Sequence, residues 1–150
     1  IDRPYGPGTA RVIIDADIPA YETEALAGAT NNVEEAKPLG LKVSVELAEK
    51  LPANIQYVMA TKPGASNDAI RRLVNANITS YINSLRIGEP FYISSVIDRA
   101  MNTSSDIKDI QISAASIGNS QLIKTVYKPK ETQIIVPGVI DQSSTSTYTY

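Results

Sequence analysis

Between residues 41 and 48 apolar and polar side chains alternate without a break, Leu41, Val43, Val45 and Leu47 against Lys42, Ser44, Glu46 and Ala48. A period of two is that of a strand with one buried face. Residues 9–18 alternate in the same way, with Val12, Ile14, Ala16 and Ile18 on one side and Arg11, Ile13, Asp15 and Asp17 on the other. Between them the spacing becomes helical over 22–36, through Leu26, Ala29, Val33 and Ala36. Thr23 is the expected N-cap, Glu22 and Glu24 suit the positive end of the helix, and Pro38 and Gly40 stop it. Pro52 and Asn54 suit a connection, after which residues 55–60 predict an antiparallel partner for the strand at 41–48.

The longest helical pattern runs over residues 67–86, where Ile70, Leu73, Val74, Ile78, Tyr81, Ile82 and Leu85 form one apolar stripe. Arg72, Asn75, Thr79, Asn83 and Arg86 oppose it, and Asn77 falls inside the apolar sector. Residues 81–112 organise the rest of the chain. Gly88 stands where a helix ends in the left-handed conformation, and Pro90 forbids its continuation. Ser94 and Ser95 offer hydroxyls to a second helix with Asp98 in its first turn, and Ile93, Val96, Ile97, Ala100 and Met101 give its apolar side. A strand at 107–112 comes next, facing inward through Ile110 and Ile112, then a small polar loop at 113–120. Residues 121–127 and 131–136 predict a hairpin around Lys128-Pro129-Lys130. The run Ile134, Ile135, Val136 suits a strand covered on both faces, broken by Pro137-Gly138.

The order strand–helix–strand–strand, then helix–helix–strand–strand–strand, predicts an α+β fold, with mainly antiparallel sheet and helices packed on one side. Two closely packed sub-modules are expected, 1–62 and 63–141, with a polar C-terminal tail at 142–150.

Composition narrows the chemistry. The 150 residues, 43% hydrophobic, suffice for one core or two packed halves. The first residue is Ile1 rather than Met, which suggests a fragment or a processed product. No apolar run is long enough for a membrane span. Without Cys there are no disulfides or thiolate sites, and without His the commonest general base and metal ligand is missing. A net charge of −2 argues against a nucleic-acid partner. The Gly6-Pro7-Gly8 triplet is no phosphate loop, because Pro7 removes a donor and the loop precedes a strand.

Three segments resemble the C-terminal part of the baseplate J-like proteins, wedge components of contractile phage tails and related injection machines. They are the strand Gly8-Thr9-Ala10-Arg11-Val12-Ile13-Ile14, the turn and strand Ala36-Lys37-Pro38-Leu39-Gly40-Leu41-Lys42-Val43-Ser44-Val45, and residues 81–112. In the last, Tyr81-Ile82-Asn83-Ser84-Leu85-Arg86-Ile87-Gly88 is similar to the family's Tyr-Leu-x-x-Leu-x-x-Gly, followed by a hydrophobic pair, a Ser-capped helix and a strand. The resemblance spans most of residues 8–140. It departs at Ser104-Ser105-Asp106-Ile107, where family members often have Gly-Val, and it lacks the family's N-terminal half.

The resemblance implies a structural wedge module that joins neighbouring subunits around the tail tube. It implies contacts with other copies and other wedge proteins, a place in the virion's tail baseplate assembled in the host cytoplasm, and no catalytic residue or cofactor. Lys37, Pro38, Gly40, Gly88 and Pro90 are then structural turns, and the tail residues Thr145, Thr147, Tyr148 and Tyr150 are partner contacts. A competing expectation is a carboxylate-dependent, metal-binding hydrolase using Asp15, Asp17 and Glu46, which converge only if their strands are neighbours and a third oxygen ligand joins them. A third is a peptide- or glycan-binding adhesion domain, suggested by the Tyr- and Thr-rich tail.

Overall fold

The structure, a computed structural model, describes residues 9–16, 19–38, 40–120 and 125–143. The fold is α+β, and the chain divides into two compact units, Ile1–Glu49 and Lys50–Tyr150.

In the first unit strand β1 (Thr9–Ile14) is followed by a 3₁₀ turn (Pro19–Tyr21), helix α1 (Glu22–Ala36) and strand β2 (Lys42–Leu47). The two strands pair in parallel, Ala10 beside Val43, Val12 beside Val45 and Ile14 beside Leu47. A fifteen-residue helix between them supplies the crossover that a parallel pair requires. The expected antiparallel pairing of residues 41–48 with 55–60 is therefore replaced by a β–α–β unit. Helix α1 begins at Glu22 after Tyr21, so Thr23 lies inside it rather than capping it. None of its residues is buried; Leu26 and Val33 are half-covered.

The second unit is built on strand β3 (Glu49–Thr61), the centre of a three-stranded sheet in the order β5–β3–β7. Pro52 sits near the strand's start, just before the first residue paired with β5, where no ladder donor is needed. From Leu51 to Met59 every second residue of β3 is buried. Strand β5 (Ile107–Ile117) runs antiparallel to it and continues through the stretch predicted as a loop. Its register shifts twice, beside Ala60/Thr61 and beside Gln56/Tyr57, leaving Lys108 and Ser113 as extra residues. Each bulge flips the alternation, so the inward set is Ile107, then Ile110 and Ile112, then Ala115 and Ile117. That double change of phase disguised the strand. The departure at Ser104 is a tight turn in which Asp106 N–H donates to Ser104 Oγ (3.1 Å) and Ile107 N–H to Ser104 O (3.3 Å).

Strand β7 (Gln133–Gln142) passes straight through Pro137-Gly138, which were expected to end it. It is an outer strand of the sheet, where a missing N–H is tolerated. Val139 lies beside Asn54 and Ser143 beside Tyr57, so β7 runs in the same direction as β3. Among the described residues no hairpin forms around Lys128-Pro129-Lys130, and residues 121–124 of its expected first strand lie outside them. Strand β6 (Val126–Tyr127) instead pairs antiparallel with β4 (Phe91–Tyr92), a strand the sequence pattern did not reveal.

Helices α2 (Asn67–Asn83) and α3 (Ile93–Met101) cover one face of this sheet, packing against each other and into a single apolar cluster with the alternate residues of β3 and β5. At about 100° per residue, the buried sector of α2 runs from Ile70 through Tyr81, Val74 and Ile78 to Ile82, and buried Leu85 follows just past its end. Leu73, expected inside it, is 55% exposed. Asn77 lies on the same exposed flank and donates to Thr103 Oγ1 (2.8 Å), tying α2 to the end of α3. Helix α3 starts after Tyr92, earlier than the predicted Ser94/Ser95 cap. Asp98 thus falls in its second half, where it accepts from Asn102 Nδ2 (3.1 Å).

Ile78 is fully buried and Arg72 exposed. Ile78→Ala should cost about 2–5 kcal/mol, and Arg72→Ala under about 0.5 kcal/mol. Denaturant titration checks this, and equal losses would place the core on the wrong face of α2.

Candidate interaction surfaces

The Gly88 turn is a folded joint. Helix α2 ends at Ser84, whose hydroxyl donates to Tyr81 O (2.6 Å), and buried Leu85 comes next. Glu89 reaches back to accept from Arg86 N–H (2.8 Å), while Glu89 N–H donates to Arg86 O (3.0 Å). Gly88, at φ 76°, donates its N–H to Gln133 O (2.8 Å). The buried Gln133 side chain in turn accepts from Lys130 N–H (2.9 Å), which holds the opposing turn. A side chain at Gly88 would sit 3.5 Å from Glu131 Cα, an ordinary contact, so its obstacle is the backbone angle. Pro90 leads into fully buried Phe91, whose ring lies 6.0 Å from that of Tyr81. Tyr81 Oη accepts from Tyr92 N–H (3.2 Å). The outer side of the turn is an open depression of about 580 Å³ lined by Ser84, Arg86, Ile87, Gly88 and Glu89.

The other turn belongs to the first unit. Lys37 caps α1 through its N–H to Val33 O (2.9 Å) and pairs with Glu34 (2.7 Å). Leu41 N–H donates to Pro38 O (3.2 Å), and Gly40 has φ 85° with open space around it.

Asp15 lies just past β1 and Glu46 faces Ile13 across the parallel pair; both are exposed. Asp17 lies outside the described residues, as do Thr145, Thr147, Tyr148 and Tyr150. Among the described residues no three acidic side chains gather at metal-ligand spacing, so nothing supports the hydrolase.

A polar cluster that sequence reasoning missed ties α2 to β3 and β7. Tyr57, buried in β3, donates its hydroxyl to Asn75 Oδ1 (2.7 Å). Arg71, one turn before Asn75 on the helix, donates to Asp141 Oδ1 (2.9 Å) on β7, which also accepts from Gln142 N–H (2.8 Å). Burial, with the Asp141 carboxylate nearby, pushes the Tyr57 phenol up to about 12. The Arg71 bond, reinforced by the Gln142 N–H, holds the Asp141 carboxyl below its usual range. The signal was visible only as an Arg on the side of α2 that turns toward the sheet.

Large exposed apolar side chains are Tyr21, Leu73, Tyr92, Val126 and Val139. Tyr92 and Val126 are neighbours across the β4–β6 ribbon.

No protein-family model matches the chain, and no curated protein matches it. Among solved structures, a chain in the cryo-EM structure of the anti-feeding prophage baseplate, symmetrised sixfold, matches with a TM-score of 0.64 at 10% identity. The match covers 93% of this chain and 31% of that one, so this chain spans less than a third of the length of the baseplate chain whose fold it shares.

Both the Gly88 joint and the polar cluster bear on stability in ways that can be measured. Gly88→Val should destabilise by more than about 1 kcal/mol through backbone strain. Gly28→Ala, in α1 with open space around it, should not destabilise. Paired thermal melts check the contrast. Because the Asp141 carboxyl is held low, its bond contributes stability above the ordinary carboxylate range and loses it as pH falls through its folded value. The melting-temperature gap between the wild type and Asp141→Asn should therefore narrow from pH 7 to pH 3; a gap constant with pH would remove the ion pair from the account.

Proposed function

We propose that this chain is a structural assembly module of the baseplate in a contractile injection machine. In this reading it joins neighbouring wedge subunits around the tail tube. The observation that supports it is the shared fold with a baseplate chain over nearly the whole length of this one, despite very low identity. The order of three sequence segments, residues 8–14, 36–45 and 81–112, points the same way from independent ground. The partners are then other wedge proteins and further copies of the chain, and the site of action is the tail baseplate of a particle built in the cytoplasm. The protein acts by shape, with Gly88 and Pro90 setting the angle between α2 and α3 and no side chain assigned to catalysis.

Particles purified through a tag on the native full-length protein and imaged by electron microscopy test this directly. The expected result is tag density in the baseplate, around the tube, at every wedge. Intact baseplates recovered from cells in which the gene is deleted would overturn it.

A further inference from the structure

Strand β7 has two halves held by different means. Gln133, Ile134 and Ile135 are all buried, and Ile135 belongs to the main core cluster. From Pro137 to Ser143 no residue is buried; Val139 is 69% exposed, and Ile140 packs only partly against the core. Besides main-chain bonds to β3 and the partial cover of α2, this second half is held at three polar points. Val139 N–H donates to Asn54 Oδ1 (2.8 Å), Arg71 Nη1 to Asp141 Oδ1 (2.9 Å), and Ser143 N–H to Tyr57 O (2.8 Å).

We infer that residues 137–143 form a strap that opens from the edge of β3 as a unit and recloses in one register, while residues 133–135 stay in place. Opening the first half would return buried apolar surface to water, which is unfavourable in proportion to area. Opening the second exchanges main-chain bonds and polar clips for water, at little net cost for each. Regions with few buried apolar contacts are the ones that open locally. Pro137, lacking an N–H and with φ fixed, stands at the junction of the two halves. Reclosure has one register because Gly138 and Asp141 are not interchangeable with their neighbours. A side chain at 138 would collide with Asn54 Oδ1 and come within 2.9 Å of Ala53 O, so only glycine passes that point. Asp141, three residues on, then meets Arg71. This inference is independent of the assembly reading.

Hydrogen exchange on the intact protein, monitored by mass spectrometry at neutral pH, tests it. Amides 138–143 should exchange on the order of 100-fold faster than amides 133–135. Asp141→Asn and Asn54→Ala should each speed exchange at 139–143 by roughly two- to fivefold, leaving 133–135 and Ile93–Met101 unchanged. Equal protection along the whole of β7 would overturn the inference. So would variants that loosen α3 and residues 133–135 together with the strap, or that leave the strap's exchange unmoved.

Discussion

The alternate residues of β3 must be kept from water, and the second unit is arranged around that requirement. Leu51, Ala53, Ile55, Tyr57 and Met59 form a buried row on a thirteen-residue strand, too long for any one helix turn to cover. Helix α2 supplies Ile70, Val74, Ile78, Tyr81 and Ile82 against it, and α3 adds Ile93, Val96 and Ala100. Each fully buried aliphatic or aromatic side chain is worth about 1.5–3 kcal/mol relative to exposure. This cluster therefore outweighs the individual polar contacts in the unit. The β4–β6 ribbon and the Gly88 joint are consequences of it, because α3 reaches the cluster only if the chain turns sharply after α2.

Within that apolar row Tyr57 brings a hydroxyl, and its burial requires a partner. Asn75 is that partner, and the neighbouring Arg71–Asp141 pair extends the polar seam out to β7. The seam lies half in water, with the Arg71 side chain 35% and the Asp141 side chain 50% exposed. Its value is positional more than energetic, since exposed ion pairs contribute little. It dictates which stretch of β7 belongs beside which stretch of β3, as Asn54 and Gly138 do by a different route. A sheet edge with this much register information is guarded against slipped pairing.

The first unit obeys a different logic. Two parallel strands and one helix leave every apolar residue of α1 at least partly open, whereas parallel sheet is ordinarily covered on both faces.

Local signals in the sequence determined where helices lie and which side of them is apolar. The bounds of α1 were legible because Pro38 and Gly40 end its pattern, and the buried row of α2 because its period is strong; the α+β class came from element order. What sequence could not decide was which strand pairs with which. Residues 41–48 and 55–60 each read as half-buried strands, and nothing local distinguishes a hairpin from two strands of different sheets. Register also escaped it: the bulges at Lys108 and Ser113 flip the alternation of β5, and they exist only in relation to β3. Pro137-Gly138 read as a break because those residues disfavour central strands. Only the tertiary structure puts them on an outer strand, where Pro is tolerated and Gly makes room for Asn54. The polar seam was hidden for the same reason, since Tyr57, Arg71 and Asp141 are far apart in the chain. Periodicity is a property of neighbours along the backbone; pairing, register and side-chain partnership are decided by whichever distant surface each element is buried against.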